Sequence, residues 1–288
     1  MSAPTLADVV TVLEDLYPPA TAEGWDAVGL VAGDPQRPVR KVLFAVDPVE
    51  TVVDEAIEWG ADLLVTHHPL FLKPVTSVAA TTFKGSVVHR LLAAGCALHV
   101  AHTNADSAPR GVADALADLV GITDRRPLVA RLDDTERGIG RVGTLERPTT
   151  LGELARCVAD VLPATAQGVR VAGDLDAPVT TAAVVGGSGD SLFDAVLAAA
   201  VDVYLTADLR HHPASELRER AAFEAGADAR SDGGRPFLVD VAHFASEWPW
   251  LAYAADDLVG RLGDGTVTTR VSTLVTDPWT TRVASTGR

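Results

Sequence analysis

Apolar and polar positions fall into short blocks that repeat along this chain. Residues 42–46 (Val-Leu-Phe-Ala-Val) are an apolar run, residues 50–59 have a helical pattern, and residues 61–66 end a second apolar run at Thr66. Shifted by 140 without a gap, the same order returns as 182–186, 191–200 and 201–206, the last ending at Thr206. Short β-rich runs alternating with helices of about ten residues predict βαβ units and a largely parallel sheet. Upstream, Leu6, Val9, Val10, Leu13 and Leu16 mark one face of a helix that Pro18-Pro19 ends. Helices are expected over 86–94 and 111–120, closed by Gly95 and Gly121. The charged stretch 125–140 reads as an irregular connector. A strand at 142–145 and a helix at 151–161, stopped by Pro163, follow it. Further on, 227–235 reads as a flexible loop, 237–241 as a strand, 266–275 as the last strand and 277–288 as a loosely held tail.

The ends of these runs carry the chemistry. Thr66-His67-His68-Pro69 closes one strand, and His102-Thr103-Asn104-Ala105-Asp106 follows it. Thr206-Ala207-Asp208 closes another, followed by His243-Phe244-Ala245-Ser246-Glu247. The spacing from His102 to His243 and from Asp106 to Glu247 is 141, close to the 140 of the strands. In open α/β sheets ligands bind outside the carboxyl ends of strands, which is where His67, His68 and Asp208 stand. Taken singly, each group has an ordinary reading: a packed His pair, an i,i+4 surface pair, a turn aspartate. Together, in matched halves, imidazoles and carboxylates are a donor set for divalent metals. The expected fold class is therefore α/β, two similar halves related by a pseudo-two-fold with a metal site between them. The expected divisions are a first half 1–125 (His67, His68, Asp106), a connector 126–168 and a second half 169–288 (His243, Glu247).

Other groups have weaker signals. His211-His212-Pro213 echoes the His67 motif and offers a substrate contact or a solvated helix start. Gly186-Gly187-Ser188-Gly189, between strand and helix, is placed to cradle an anion through Gly187 and Ser188, or is simply a tight βα turn. Trp248 and Trp250 suit a flat ligand or, preferably, a subunit interface. His102 and Asp208 are the candidate general bases.

Composition narrows the class. A chain of 288 residues, 47% hydrophobic and 22% charged, is globular. Its net charge of −15 argues against a general nucleic-acid binder, while leaving room for a local basic pocket. No apolar stretch is long enough for a membrane span, and the N-terminus lacks the regions of a signal peptide. Two isolated cysteines, Cys96 and Cys157, form no CxxC pair, so a reduced cytoplasmic setting is expected and thiolate ligands are not. Ligand softness favours Zn, Fe or Mn.

Along nearly its whole length the chain resembles the GTP cyclohydrolase I type 2 homologues, the Nif-three-like dinuclear-metal proteins. The resemblance rests on Trp25-Asp26-Ala27-Val28-Gly29-Leu30, Ala61 to Leu70, His102 to Asp106, Gly186 to Gly189, and His243 to Glu247. It implies His67, His68, Asp106, His243 and Glu247 as ligands of two divalent ions about 3.5 Å apart, with the carboxylates bridging. It also implies a toroidal homohexamer and a small-molecule or nucleotide substrate. The chemistry it implies is hydrolysis by metal-activated water, with the purine ring opened and formate released. The alternatives are a phosphoesterase, an amide hydrolase or a non-catalytic metal-binding scaffold. The chain departs from the family at Ala207, usually Gly, and at Ala27, usually Asn. It also lacks the middle domain of longer members.

Overall fold

The protein is described by a computed structural model, which covers residues 3–226 and 233–286. Most of the 227–235 loop expected from the sequence thus lies outside the described residues. The chain opens with α1 (Leu6–Leu16), β1 (Gly29–Ala32), β2 (Lys41–Ala45), α2 (Glu50–Trp59) and β3 (Leu63–Thr66). It continues through α3 (Phe83–Ala94), β4 (Ala97–Val100), α4 (Thr103–Ser107), α5 (Val112–Leu119), β5 (Ile122–Ala130) and β6 (Gly138–Thr150). Next come α6 (Leu151–Val161), β7 (Arg170–Ala172), β8 (Pro178–Ser188), α7 (Phe193–Ala199), β9 (Val203–Ala207) and α8 (His211–Ala225). It closes with β10 (Phe237–Val241), α9 (His243–Glu247), α10 (Trp250–Leu262) and β11 (Thr268–Val271).

Two compact α/β units result. The first takes residues up to Gly111 and returns for Trp250–Thr276. Its five-stranded sheet has the order β1-β4-β3-β2-β11, parallel except for β1. The strands are apolar on both faces. Leu43, Leu64 and Leu98 pack with Val52, Val53 and Ala56 of α2 and Val87 and Leu91 of α3. The alternate positions Val42, Phe44, Leu63 and Val65 are equally buried, as a sheet covered on both sides requires. Thr5 caps α1 in a reciprocal box with Asp8, and Gly60 and Gly95 close α2 and α3 in the left-handed conformation.

The second unit takes Val112–Pro249 and the segment from Asp277. Its six-stranded sheet has the order β5-β6-β8-β9-β10-β7, with β8, β9 and β10 parallel and the others antiparallel. Ala183, Val185, Tyr204 and Leu238 pack with Val196 of α7 and Leu217 of α8. Thr150 and Glu153 form the capping box of α6.

The repeat is visible in strand register. Val42 pairs with Leu63 and Ala182 with Val203, while Leu63 pairs with Ala97 and Val203 with Phe237. Even the antiparallel neighbours agree, Ala32 opposite Leu98 and Ala172 opposite Leu238. Asp62 Oδ2 accepts the N–H groups of Arg40 and Lys41, and Asp202 Oδ2 those of Thr180 and Thr181. All these pairs are separated by the same 140 positions.

Three expectations are corrected. Residues 125–140 are not an irregular connector, because most of them form β5 and the start of β6, paired from Ile122↔Leu145 to Ala130↔Gly138. The compact units also do not divide at 125/126 and 168/169. Each repeat ends in a helix and strand that belong to the other unit: α5 and β5 pack on and pair with β6 and β8, whereas α10 and β11 pack on and pair with β2. Finally, the His102–His243 spacing of 141 is not the repeat of the fold. His102 caps α4 and Ala242 caps α9, so His243 occupies the place of Thr103 and Glu247 that of Ser107.

Candidate metal centre

In the first unit β3 delivers His67 and His68 at its carboxyl end. Their N–H groups donate to the carbonyls of Ala45 and Val46, which fixes the backbone beyond the last regular strand residue. His67 is fully buried, and its Nδ1 lies 3.0 Å from the carbonyl of Ala101. A carbonyl can only accept, so Nδ1 donates and Nε2 is the ring's candidate ligand atom. That Nε2 is 3.7 Å from Asp106 Oδ1. His68 Nδ1 lies 2.6 Å from Asp47 Oδ1, with the same consequence for its Nε2.

His102 completes the cluster. Its Nδ1 is 3.0 Å from Asp26 Oδ2, an oxygen that also accepts Thr103 Oγ1 at 2.6 Å and the Thr103 N–H at 3.2 Å. Burial pulls the Asp26 carboxyl upward, but the donors on Thr103 and His102 together hold it below the ordinary aspartate value. Ligand-capable atoms of His67, His68 and His102 lie within 4.8 Å of one another. Two bonds of about 2.1 Å across one ion span about 4.2 Å, so small side-chain movements would bring the group onto one ion. Trp250, which the sequence suggested for a ligand platform or a subunit interface, is instead fully buried inside this unit. It packs on Tyr17 and on the His67 ring at 5.4 Å each. Trp25 is exposed, and its ring is 5.9 Å from that of His102.

In the second unit Asp208 follows β9 in the left-handed region, at φ 55°. Its Oδ2 is 2.7 Å from His243 Nδ1, while Nε2 of the same ring is 2.9 Å from Glu247 Oε1. Both groups start and end the single turn of α9. A carboxylate on each nitrogen of one imidazole suits a cation at Nε2, since two ligands of one ion with ~2.1 Å bonds stand about 3 Å apart. Gly187 lets α9 come this close to β8. At φ 69° it holds a conformation that suits glycine, and a Cβ there would lie 2.6 Å from Glu247 Oε1. Its N–H donates to Ser246 Oγ at 2.8 Å, so the anion cradle expected at Gly187 and Ser188 lacks that donor. His211 and His212 are exposed at the start of α8, edge to face at 5.2 Å.

Asp26 and Asp47, which orient His102 and His68, have no role in the sequence reading. Asp26 stands inside a quoted motif; Asp47 directly follows an apolar run, as Asp208 does. Carboxylates that hold Nδ1 and leave Nε2 outward are the usual companions of metal-binding histidines.

The fold and its donor sets define a duplicated α/β protein with histidine–carboxylate groups at the carboxyl ends of its parallel strands. The chain belongs to the family described as Duf34/NIF3 (NGG1p interacting factor 3), whose model matches residues 4–278. It is 54% identical over 287 residues to the GTP cyclohydrolase 1 type 2 homolog of Streptomyces coelicolor, covering 98% of this chain and 96% of that one. The Mycobacterium tuberculosis protein of the same name is 36% identical over 380 aligned positions, covering 95% and 96%. An alignment longer than this chain means that relative has segments absent here. Among solved structures, a Bacillus cereus protein related to NIF3 superposes with TM-score 0.83 at 24% identity, covering 97% and 99%. A Staphylococcus aureus hypothetical protein gives TM-score 0.81 at 26% identity, covering 96% and 99%. Among the described residues, no helix is long and apolar enough to cross a membrane.

Proposed function

We propose that the chain is a divalent-metal-dependent hydrolase of the GTP cyclohydrolase I type 2 kind. In this reading His67, His68, Asp106, His243 and Glu247 hold two ions of Zn, Fe or Mn. The observation that carries the reading is the shared anchoring of His67, His68 and His243 through Nδ1, to Ala101, Asp47 and Asp208. Each anchor leaves Nε2 as the ligand atom. Bound divalent ions would lower the pKa of a water and polarise a carbonyl, imine or phosphoryl oxygen.

The chain's own groups supply the rest. His102, held by Asp26, takes up a proton at Nε2, and the Asp26 carboxylate steadies the imidazolium that results. Asp208 is better read as the residue that orients His243 than as a base. Trp25, exposed beside His102, offers a flat face to a purine, and His211 a further substrate contact. We also infer, from the family resemblance, a toroidal homohexamer working in the cytoplasm.

The test is Glu247→Gln, which keeps the size of the side chain and removes its charge. Metal-loaded wild type is expected to bind two ions per chain and to release formate from GTP. The variant should lose at least one ion and all turnover while keeping its helix content and its mass by light scattering. Two ions and unchanged turnover in the variant would overturn the ligand assignment. A wild type that binds metal but turns over no nucleotide, phosphoester or amide would replace the hydrolase with a metal-binding scaffold.

A further inference from the structure

In the second unit a cavity of about 360 Å³ opens between the start of α8 and the β7–β10 edge of the sheet. Ligand pockets begin at about this size. Its floor is apolar, formed by Val171, Ala172 and Leu238. Its rim is basic: Arg170, Arg210, Arg218 and His211 converge there against one lining acid, Asp240. That is unexpected in a chain of net charge −15. The Asp240 carboxylate is already committed, because it accepts Arg170, Gln167 Nε2 at 2.8 Å and the Leu209 N–H at 2.9 Å.

The guanidiniums are held in place before any ligand arrives. Arg170 grips Asp240, Arg210 pairs with Asp190, and Arg218 donates to the carbonyls of Gly233, Gly234 and Pro236 while lying over the Phe237 ring. Each guanidinium has five N–H donors, and Arg170 and Arg210 use only some of theirs in these bonds. The first turn of α8 lines the same cavity, and no side chain caps it. The positive end of the helix dipole therefore adds to the arginine field. Pre-set arginines around a cavity suit a planar or tetrahedral oxyanion, which a guanidinium can bind with two parallel bonds.

We propose that this cavity is a phosphoryl-binding site that anchors a phosphorylated substrate of the hydrolase. The link to substrate rests on the hydrolase reading; the site itself does not. Its entrance residues Leu209 and Arg210 directly follow Asp208, so a phosphoryl group held here is tied through one short segment to the residue that orients His243.

The probe is inorganic phosphate, titrated calorimetrically into the full chain both metal-loaded and chelator-treated. Saturable binding is expected in both states, weakening as salt is raised. Ser215→Glu places a carboxylate at the exposed lip and should weaken phosphate binding at least tenfold; Arg210→Gln should weaken it severalfold. Both variants should keep wild-type thermal unfolding and reload wild-type amounts of metal. On metal-loaded protein, Ser215→Glu should weaken GTP at least tenfold and leave guanosine unchanged. Absence of saturable phosphate binding to the chelator-treated wild type, or equal binding by folded Ser215→Glu, would overturn the site. Equal effects on GTP and guanosine would overturn the link to substrate while leaving the site. Failure of turnover alone would count against the hydrolase reading.

Discussion

Single side chains at the ends of strands orient the candidate ligands of this protein. Asp208 touches His243 only through Nδ1, yet it fixes which nitrogen faces Glu247. Partners of this kind are each associated with about 10–100-fold in metal affinity. Asp208→Asn is therefore expected to weaken metal binding by about that factor with no change in fold, measured by competition with a chromogenic chelator. An unchanged affinity would mean that the helix alone orients the ring. His99, in β4, makes a different prediction. It is 1% exposed, neither ring nitrogen has a hydrogen-bond partner, and burial pushes its pKa down to about 4. Between pH 6.5 and about 4 the unfolded chain takes a proton that the folded chain refuses. Stability should thus be complete above pH 6.5 and fall by about 3 kcal/mol as the pH drops through that window. His99→Leu should flatten this part of the curve in denaturant titrations, and parallel curves would refute the assignment. The strand-end positions of His67, His68 and Asp208 were legible because apolar runs end abruptly there. Asp26 and Asp47 were not, since an acid after a strand looks like any turn residue until its partner is seen.

At the level of elements, the βαβ core was the most legible part of the fold. α1, α2, α6 and β10 occupy the residues that periodicity and proline placement assign to them. The β5–β6 hairpin was hidden because β5 is an edge strand that carries the charged run Asp124, Arg125 and Arg126 and a proline at 127. The one-residue difference between strand spacing and histidine spacing also has a reason. His102 acts from the cap of α4 and His243 from the first turn of α9, so the two units place imidazoles at different points of equivalent helices. Close approach of α9 to β8 depends on Gly187. Gly187→Ala adds a left-handed strain of about 1–2 kcal/mol and drives a methyl toward Glu247. A lower melting temperature and a lower metal content are expected together, in calorimetry and elemental analysis. Loss of stability with full metal content would show that α9 can shift without disturbing its ligands.

For the whole chain the reciprocal exchange of α5–β5 and α10–β11 matters most. The sequence showed two halves but not the exchange, because a helix and a strand read the same whichever sheet they join. Trp250 of α10 fills the first unit between Tyr17 and His67; truncating such a buried tryptophan costs about 3–5 kcal/mol. Trp250→Ala should accordingly lower stability by about that amount in chemical denaturation. A fragment of residues 1–125 should fail to unfold cooperatively, since it lacks α10 and β11 altogether. A cooperative transition in that fragment would mean that the first sheet is complete without them. The exchange also sets an order of events during synthesis. β2 leaves the ribosome well before its partner β11 at residues 268–271. The second unit holds a continuous run from Val112 to Pro249, so its sheet can close while the tail is still being translated. β2 therefore waits for β11, with one edge unpaired in the meantime. During that interval the nascent chain is most open to mispairing.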